Sequence, residues 1–233
     1  MTGWLLEIVL AVVPAVLAIT LHEAAHGYAA WALGDDTARR AGRLSLNPLR
    51  HVDRVGTILL PGLLIVAQLL TLGRVSFLFG WAKPVPVSAW RFRDPRRGMA
   101  LVAAAGPAMN FLLAWLGALS FHAFGLVPER FADPFSDMMQ LFILANLVLG
   151  LFNLLPVPPL DGGRIMVGIL PLDAARAWAR LERVGLALVL ILVLVVPRLG
   201  PSLGFHFDPV HDLLNRVLPE ALRLTLKLAF FSV

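Results

Sequence analysis

The sequence predicts an all-α polytopic membrane protein of about four to six membrane segments, with a re-entrant segment at 55–73 and a short strand-like insertion at 74–97. Three observations predict it. Hydrophobic residues fill 58% of the 233 positions and charged residues only 15%, whereas a soluble domain is about half apolar and about a quarter charged. The stretches 55–73, 98–128, 138–160 and 184–197 hold no Lys, Arg, Asp or Glu, and about 20 apolar residues suffice to cross the hydrocarbon core. The basic residues are also unevenly divided among the connecting loops.

Residues 4–33 read as one long helix. Glu7, His22, Glu23 and His26 are its only acidic, basic or histidine side chains, and Gly34-Asp35-Asp36 is its stop signal. Met1 to Trp4 lack a basic n-region and no small-residue cleavage site follows, so this is a retained helix rather than a cleaved signal peptide. A polar loop leads through Asn47-Pro48 to Arg54. The apolar run 55–73 contains Pro61-Gly62. Residues 74–97 hold Pro84, Pro86 and Pro95 around an alternating Val85, Val87, which suits short edge strands or irregular loop. Spans follow at about 98–124 and 137–155. The break Pro156-Val157-Pro158-Pro159 opens into Leu160-Asp161-Gly162-Gly163. A short last span is expected at 182–197. Residues 209–231 set Arg216, Glu220, Arg223 and Lys227 at helical spacing among leucines, as in an amphipathic interfacial helix. The domain division is therefore a membrane core over 1–200 and an amphipathic C-terminal tail over 201–233.

Cysteine is absent, which excludes disulfides and thiolate metal sites. The net charge of +5 marks one face of a bilayer rather than affinity for nucleic acid. Loop 34–54 holds five Arg against three Asp. Loop 74–97 holds six Lys or Arg against one Asp, and 161–183 holds four Arg. Loop 125–137 has Arg130 alone against Glu129, Asp133 and Asp137. By the positive-inside rule the first three regions face the cytoplasm and the fourth faces away. Loops 34–54 and 74–97 share a side only if 55–73 enters and returns, with the break expected at Pro61-Gly62. Non-helical backbone is tolerated at that depth where protein or a wet cavity surrounds it.

His22-Glu23-Ala24-Ala25-His26 is an H-E-x-x-H pattern. On a helix, positions four apart share a face, so both imidazoles reach one ion, and Glu23 is placed as a general base toward water. A zinc ion there would make hydroxide available near neutral pH. The pattern lies in an apolar helix, where ionisable residues are costly and mark function more often than a pair of packing histidines. Catalytic zinc takes three protein ligands. Asp161 is the candidate for the third. Alone it reads as a turn or cap residue, but it emerges at the cytoplasmic end of its span, level with the histidines if 55–73 does not cross.

Several ordered motifs now coincide. To the H-E-x-x-H are added Asn47-Pro48 with His51 and Asp53, and Gly80-Trp81-Ala82-Lys83-Pro84-Val85-Pro86-Val87. Ala105-Gly106-Pro107-Ala108-Met109-Asn110 and Asn153-Leu154-Leu155-Pro156 through Leu160-Asp161-Gly162-Gly163 follow. Over roughly residues 15–170 the chain resembles the site-2 protease family, in particular its short bacterial members without PDZ or CBS domains. The resemblance implies Zn²⁺ held by the two histidines and the Asp of the Leu-Asp-Gly motif. It implies cleavage of transmembrane segments of membrane proteins near the cytoplasmic side of a bacterial inner membrane. The earlier span found in many members is absent from this sequence.

Further site candidates are Asn110 and Asn153, amides in apolar runs that can bond a substrate backbone or an oxyanion or else glue helices together. Lys83 is placed on an edge that can pair with an unwound substrate. His51 is a possible accessory group tuning the site from its loop. His122 reads as structural, and His206 and His211 lie in the tail. Gly106-Pro107 reads as a close helix contact. The expected partners are transmembrane protein or peptide substrates and the lipid bilayer, not nucleic acid. The alternatives are a zinc-binding membrane transporter, whose ligands would sit at successive depths, and a non-catalytic membrane scaffold. Because the chain has no native cysteine, single cysteines at Ser45, Ser88 and Ser136 test the topology. In intact cells a membrane-impermeant thiol reagent should label only Ser136→Cys; external labelling of Ser88→Cys with Ser45→Cys protected would make 55–73 a full span.

Overall fold

Four helices of small buried side chains make the frame on which everything else is hung. The computed structural model describes residues 3–73, 82–199 and 208–230, and all regular structure among them is helical. Helix α1 (Gly3–Ala32) is followed by the single turn α2 (Thr37–Arg40) and by α3 (Leu60–Leu72). The long α4 (Pro95–Ser120) and α5 (Ala132–Asn153) come next. Two short helices follow, α6 (Asp161–Ile169) and α7 (Leu172–Arg180). Then come α8 (Gly185–Leu190), α9 (Val196–Leu199) and the C-terminal α10 (Pro209–Phe230). Helix α4 is the hub and packs against α1, α5, α6 and α10.

The burial pattern is that of a chain dissolved in lipid. Along α1, Leu10, Pro14, Ala18, His22 and Ala25 are buried at helical spacing, while Val12, Val13, Val16 and Leu17 are exposed. The largest fully buried side chains include Asn110, Asn146 and Asp35. Many large aliphatic groups thus face outward, while the interior mixes small and polar side chains with a few large ones such as Leu147. In a bilayer there is no gain from hiding leucine from hydrocarbon, so helices associate through close packing and hydrogen bonds. Among the described residues, two helical stretches are long and apolar enough to cross a membrane: Pro95–Leu126 and Glu129–Asn153. The chain is a membrane protein, and all-helical as expected among the described residues.

Two local expectations are corrected. Residues 54–72 run as one helical stretch, a π-helical Arg54–Leu59 passing directly into α3, so no break occurs at Pro61-Gly62. A proline removes one main-chain donor, and here the helix before it is π-helical, where the bonding register is already altered. The stretch spans roughly 28 Å at about 1.5 Å per residue, yet the Lys83 N–H donates to His51 O at 2.8 Å. Loops 34–54 and 82–94 therefore meet, with the Ser88 amide also on Asp35 and Arg91 on Asp36. The second correction concerns the strand-like insertion. Its residues 74–81, including Gly80 and Trp81, lie outside the described residues, and 82–88 form no strand. Pro84 and Pro86 have no N–H for a ladder, and the Val85 and Ser88 amides are bound by the side chains of Glu23 and Asp35.

The region expected as a last span is helical throughout 181–199, through a 3₁₀ turn, α8, a π turn and α9. Helix α10 is docked rather than loose. Ala229 is buried with Ala114, Ala118, Ile143 and Leu147 of α4 and α5, and His122 bonds Ala229 O at 3.0 Å. Arg216, Glu220, Arg223 and Lys227 are exposed on it.

The buried carboxylate of Asp35 ties the two basic loops together. It accepts the Thr37 amide (3.0 Å) and hydroxyl and the Ser88 amide (2.6 Å), with Arg91 Nε at 3.6 Å. Burial alone would raise its pKa; the Thr37 hydroxyl, the Ser88 and Thr37 amides and the Arg91 charge outweigh that and hold it below the usual carboxylate range. A depressed folded pKa gives stability that is present above the unfolded value of about 4 and is lost as pH falls through the folded value. Asp35→Asn should cost about 2 kcal/mol near pH 7. Thermal unfolding in detergent should show the gap from the parent protein closing toward pH 3.

Candidate active site

Helix geometry brings His22 and His26 onto the face of α1 that meets α4. Their Nε2 atoms are 3.1 Å apart. The opposite ring nitrogens are engaged outward: His26 Nδ1–H donates to Val102 O at 2.8 Å, and His22 Nδ1–H donates to Asn110 Oδ1 at 2.6 Å. A main-chain carbonyl only accepts, so the His26 proton sits on Nδ1. The Asn110 amide nitrogen faces Ala18 O (3.3 Å) and Asn146 Oδ1 (2.9 Å), which turns its oxygen to His22 and fixes that proton on Nδ1 too. Both Nε2 atoms therefore present lone pairs.

Asp161 completes the cluster. Its Oδ2 lies 3.1 Å from His22 Nε2 and 3.4 Å from His26 Nε2. That oxygen is buried and has no hydrogen-bond partner. Asp161 is the first residue of α6, and the turn carrying it folds tightly over the end of α5. A Cβ at Gly162 would lie 2.2 Å from Leu154 O, and one at Gly163 2.5 Å from Pro158 N. Only residues without Cβ allow the carboxylate to be presented there.

With both imidazole protons on Nδ1, three lone pairs converge on one point, a donor set that suits a cation. Tetrahedral zinc with ligands at about 2.0–2.1 Å separates neighbouring ligand atoms by roughly 3.3–3.4 Å. The observed 3.1, 3.1 and 3.4 Å fit that ion. The outward hydrogen bonds of both imidazoles are of the kind that fix ligand tautomers in metal sites.

Glu23 stands beside this cluster, its carboxylate within 4.8 Å of the two imidazole donors, and Oε2 accepts the Val85 N–H at 3.2 Å. The cluster opens on a cavity of about 670 Å³. The walls come from α1, residues 82–87, α4, α5, the turn into α6, α6 itself and α8, and most of the lining is apolar, with Asn153 and Arg164 as polar exceptions outside the cluster.

Of the other expected site residues, Asn153 lines the cavity, with its Nδ2 donating to Leu149 O at 3.0 Å. Asn110 is fully buried behind His22, and its amide is engaged on both sides. Lys83 is exposed beside the cavity wall and meets His51 through its backbone. His51 is buried in its loop, with Nε2 bonding Ser45 O at 2.8 Å. Three features escaped the sequence reading: the Val85 amide on Glu23, Arg164 in the cavity, and Asn146. The first is a backbone contact with no side-chain signature. Arg164 stands one turn after Asp161, on the same face of α6, and that spacing could have flagged it. Asn146 is an amide in an apolar run, the same signal that singled out Asn110 and Asn153.

The cluster depends on a close approach of α4. A Cβ at Gly106 would lie 2.5 Å from His26 Cε1 and 2.6 Å from both His22 Cε1 and His26 Nε2. Gly106→Ala should therefore push the imidazoles apart. Metal analysis of the purified variant should find zinc reduced at least tenfold at a fixed chelator concentration, while Gly62→Ala, with nothing near its Cβ, should bind as the parent does.

Comparison with known proteins agrees with this chemistry. The model of Peptidase family M50 matches residues 129–196. A Bacillus subtilis protein named as a zinc metalloprotease, YwhC, is 40% identical over 220 residues, covering 91% of this chain and 93% of the relative. Rip2 of Mycolicibacterium smegmatis, also named as a zinc metalloprotease, is 32% identical over 189 residues, 79% of this chain and 66% of the relative. Rip3 of Mycobacterium tuberculosis is 36% identical over 125 residues, 52% of this chain and 28% of the relative. No solved structure matches the chain.

Proposed function

The chain belongs to peptidase family M50, the site-2 proteases, and is a zinc metalloprotease; on that premise we propose that it cleaves transmembrane segments of membrane proteins within the bilayer, near the cytoplasmic face. The observation that carries the proposal is the buried meeting of His22 Nε2, His26 Nε2 and Asp161 Oδ2 beside Glu23, at the wall of a mostly apolar cavity. In this reading the two histidines and Asp161 hold the metal, and Glu23 is the general base. Its setting in the bacterial inner membrane with the site toward the cytoplasm follows the charge of the loops. Loops 34–54 and 82–94, both rich in Arg, lie together at the end of the bundle that carries the site.

A transmembrane substrate hides its peptide bonds in helical hydrogen bonds, so its end must unwind before hydrolysis. The 670 Å³ cavity is large enough for a short extended stretch. The apolar walls receive its side chains, and Asn153 offers an amide to its backbone. Residues 82–87 border the same cavity and supply backbone against which an unwound segment can lie, with Lys83 at its rim. His22, His26 and Asp161 would hold the zinc, which when bound would supply Lewis acidity and lower the pKa of water toward neutral. Glu23 takes the proton of the attacking water and returns it to the leaving amine. The Val85 amide, at 3.2 Å, holds one oxygen of Glu23 in place for that exchange. Asn110 acts from behind His22, and His51 braces residues 82–88 through its carbonyl. A transporter would need donors at successive depths; among the described residues they gather in one cluster.

Purified protein in detergent or liposomes, given a panel of transmembrane peptides, should cleave some of them and stop when a zinc chelator is added. Cleavage that persists in full with chelator would sink the proposal. Metal analysis should find about one zinc per chain, largely lost in His22→Ala, His26→Ala and Asp161→Ala. Glu23→Gln should keep its zinc and lose hydrolysis by a factor of about 10² or more. Full zinc occupancy in Asp161→Ala would remove it from the ligand set.

A further inference from the structure

Asn146 is fully buried in α5, among apolar neighbours, and touches neither the cavity nor the histidines. Its amide is nevertheless satisfied at both ends. Nδ2 donates to Phe142 O at 2.8 Å, and Oδ1 accepts Asn110 Nδ2 at 2.9 Å. Asn110 in turn accepts His22 Nδ1–H. A directed chain thus crosses three helices, from Phe142 O through Asn146 and Asn110 to His22. Its direction is forced, because Phe142 O and Ala18 O can only accept.

We propose that Asn146 is a positioning residue that, through Asn110, keeps the His22 proton on Nδ1 and leaves Nε2 free for the metal. An asparagine amide has two orientations related by a half turn. With Asn146 in place, the reversed orientation of Asn110 would set oxygen against the oxygens of Asn146 and Ala18. Without it, a single contact at 3.3 Å to Ala18 O holds Asn110 upright. The reversed amide would offer N–H to His22 Nδ1, and the ring would carry its proton on Nε2, where the ligand lone pair is needed. The cost of leaving polar atoms unpaired in an apolar interior is what makes the chain hold. Asn146 and Asn153 are seven residues apart on one face of α5, so one helix supplies both an amide lining the cavity and an amide behind Asn110.

The inference rests on His22 being a ligand, and the experiment separates the two. Zinc affinity is measured on purified protein in detergent by competition with a chromophoric chelator, for Asn146→Leu, Asn110→Leu, the double variant and His22→Ala. Asn146→Leu should bind zinc roughly tenfold or more weakly, and the double variant should be no weaker than Asn110→Leu, since Asn146 acts only through Asn110. Additive losses, or affinity in Asn146→Leu equal to the parent, would overturn the inference. Parent-like affinity in His22→Ala would instead overturn the ligand assignment. A second measurement needs no variant: ¹⁵N spectra of histidine-labelled, metal-free parent protein at alkaline pH should place the His22 proton on Nδ1. Finding it on Nε2 would overturn the inference even if every leucine variant failed to fold.

Discussion

Two imidazole lone pairs and a carboxylate oxygen meet within 3.4 Å of one another in the interior, and much of the surrounding structure answers that one electrostatic demand. Each donor is aimed by a group behind it. Val102 O and the Asn110 oxygen draw the imidazole protons away, and the tight turn at Gly162-Gly163 delivers Asp161 from a helix start. Such an arrangement repels itself in water and more strongly in a low dielectric. It holds because the aiming groups are main-chain carbonyls and buried amides, which cannot reorient without losing bonds of their own.

The lipid environment sets the terms. Hydrocarbon outside and side chains inside are equally apolar, so sequestering leucine contributes little, and what brings α1, α4 and α5 together is shape and polar pairing. Glycine and alanine at the contacts permit that approach. Gly106 shows its extreme form, a position where even one methyl group would overlap two imidazole rings.

Much of the fold and of the site was legible in the sequence for identifiable reasons. The His22–His26 pair was readable because helix periodicity alone puts positions four apart on one face. Asp161 needed tertiary information, and loop charge supplied enough of it to set both on one side. The break expected at Pro61-Gly62 does not occur: a proline in the sequence was read as a breaker, whereas the backbone there runs on as helix from a π turn. The strand-like insertion at 74–97 was expected from the alternation of Val85 and Val87, but alternation cannot say whether a partner strand exists to receive the hydrogen bonds. Asn146 met the same test as Asn110 and was passed over because only contacts across helices distinguish buried amides that hold a site from those that glue a bundle.

The bonding of residues 82–88 also bears on which peptides the cavity can receive. The N–H groups of Lys83, Val85 and Ser88 are directed into the protein, to His51, Glu23 and Asp35, and Pro84 and Pro86 have none. Beside the Val87 N–H, what this stretch has left to present is mainly carbonyl oxygen. Under the proposed function, an extended substrate laid beside it would be read mainly by its donors and would keep most of its own carbonyls unbound. The carbonyl is the group that hydrolysis must reach. The same polarity disfavours imino acids: a proline that loosens a guest helix upstream is welcome, while one lying against residues 82–87 arrives with nothing to donate.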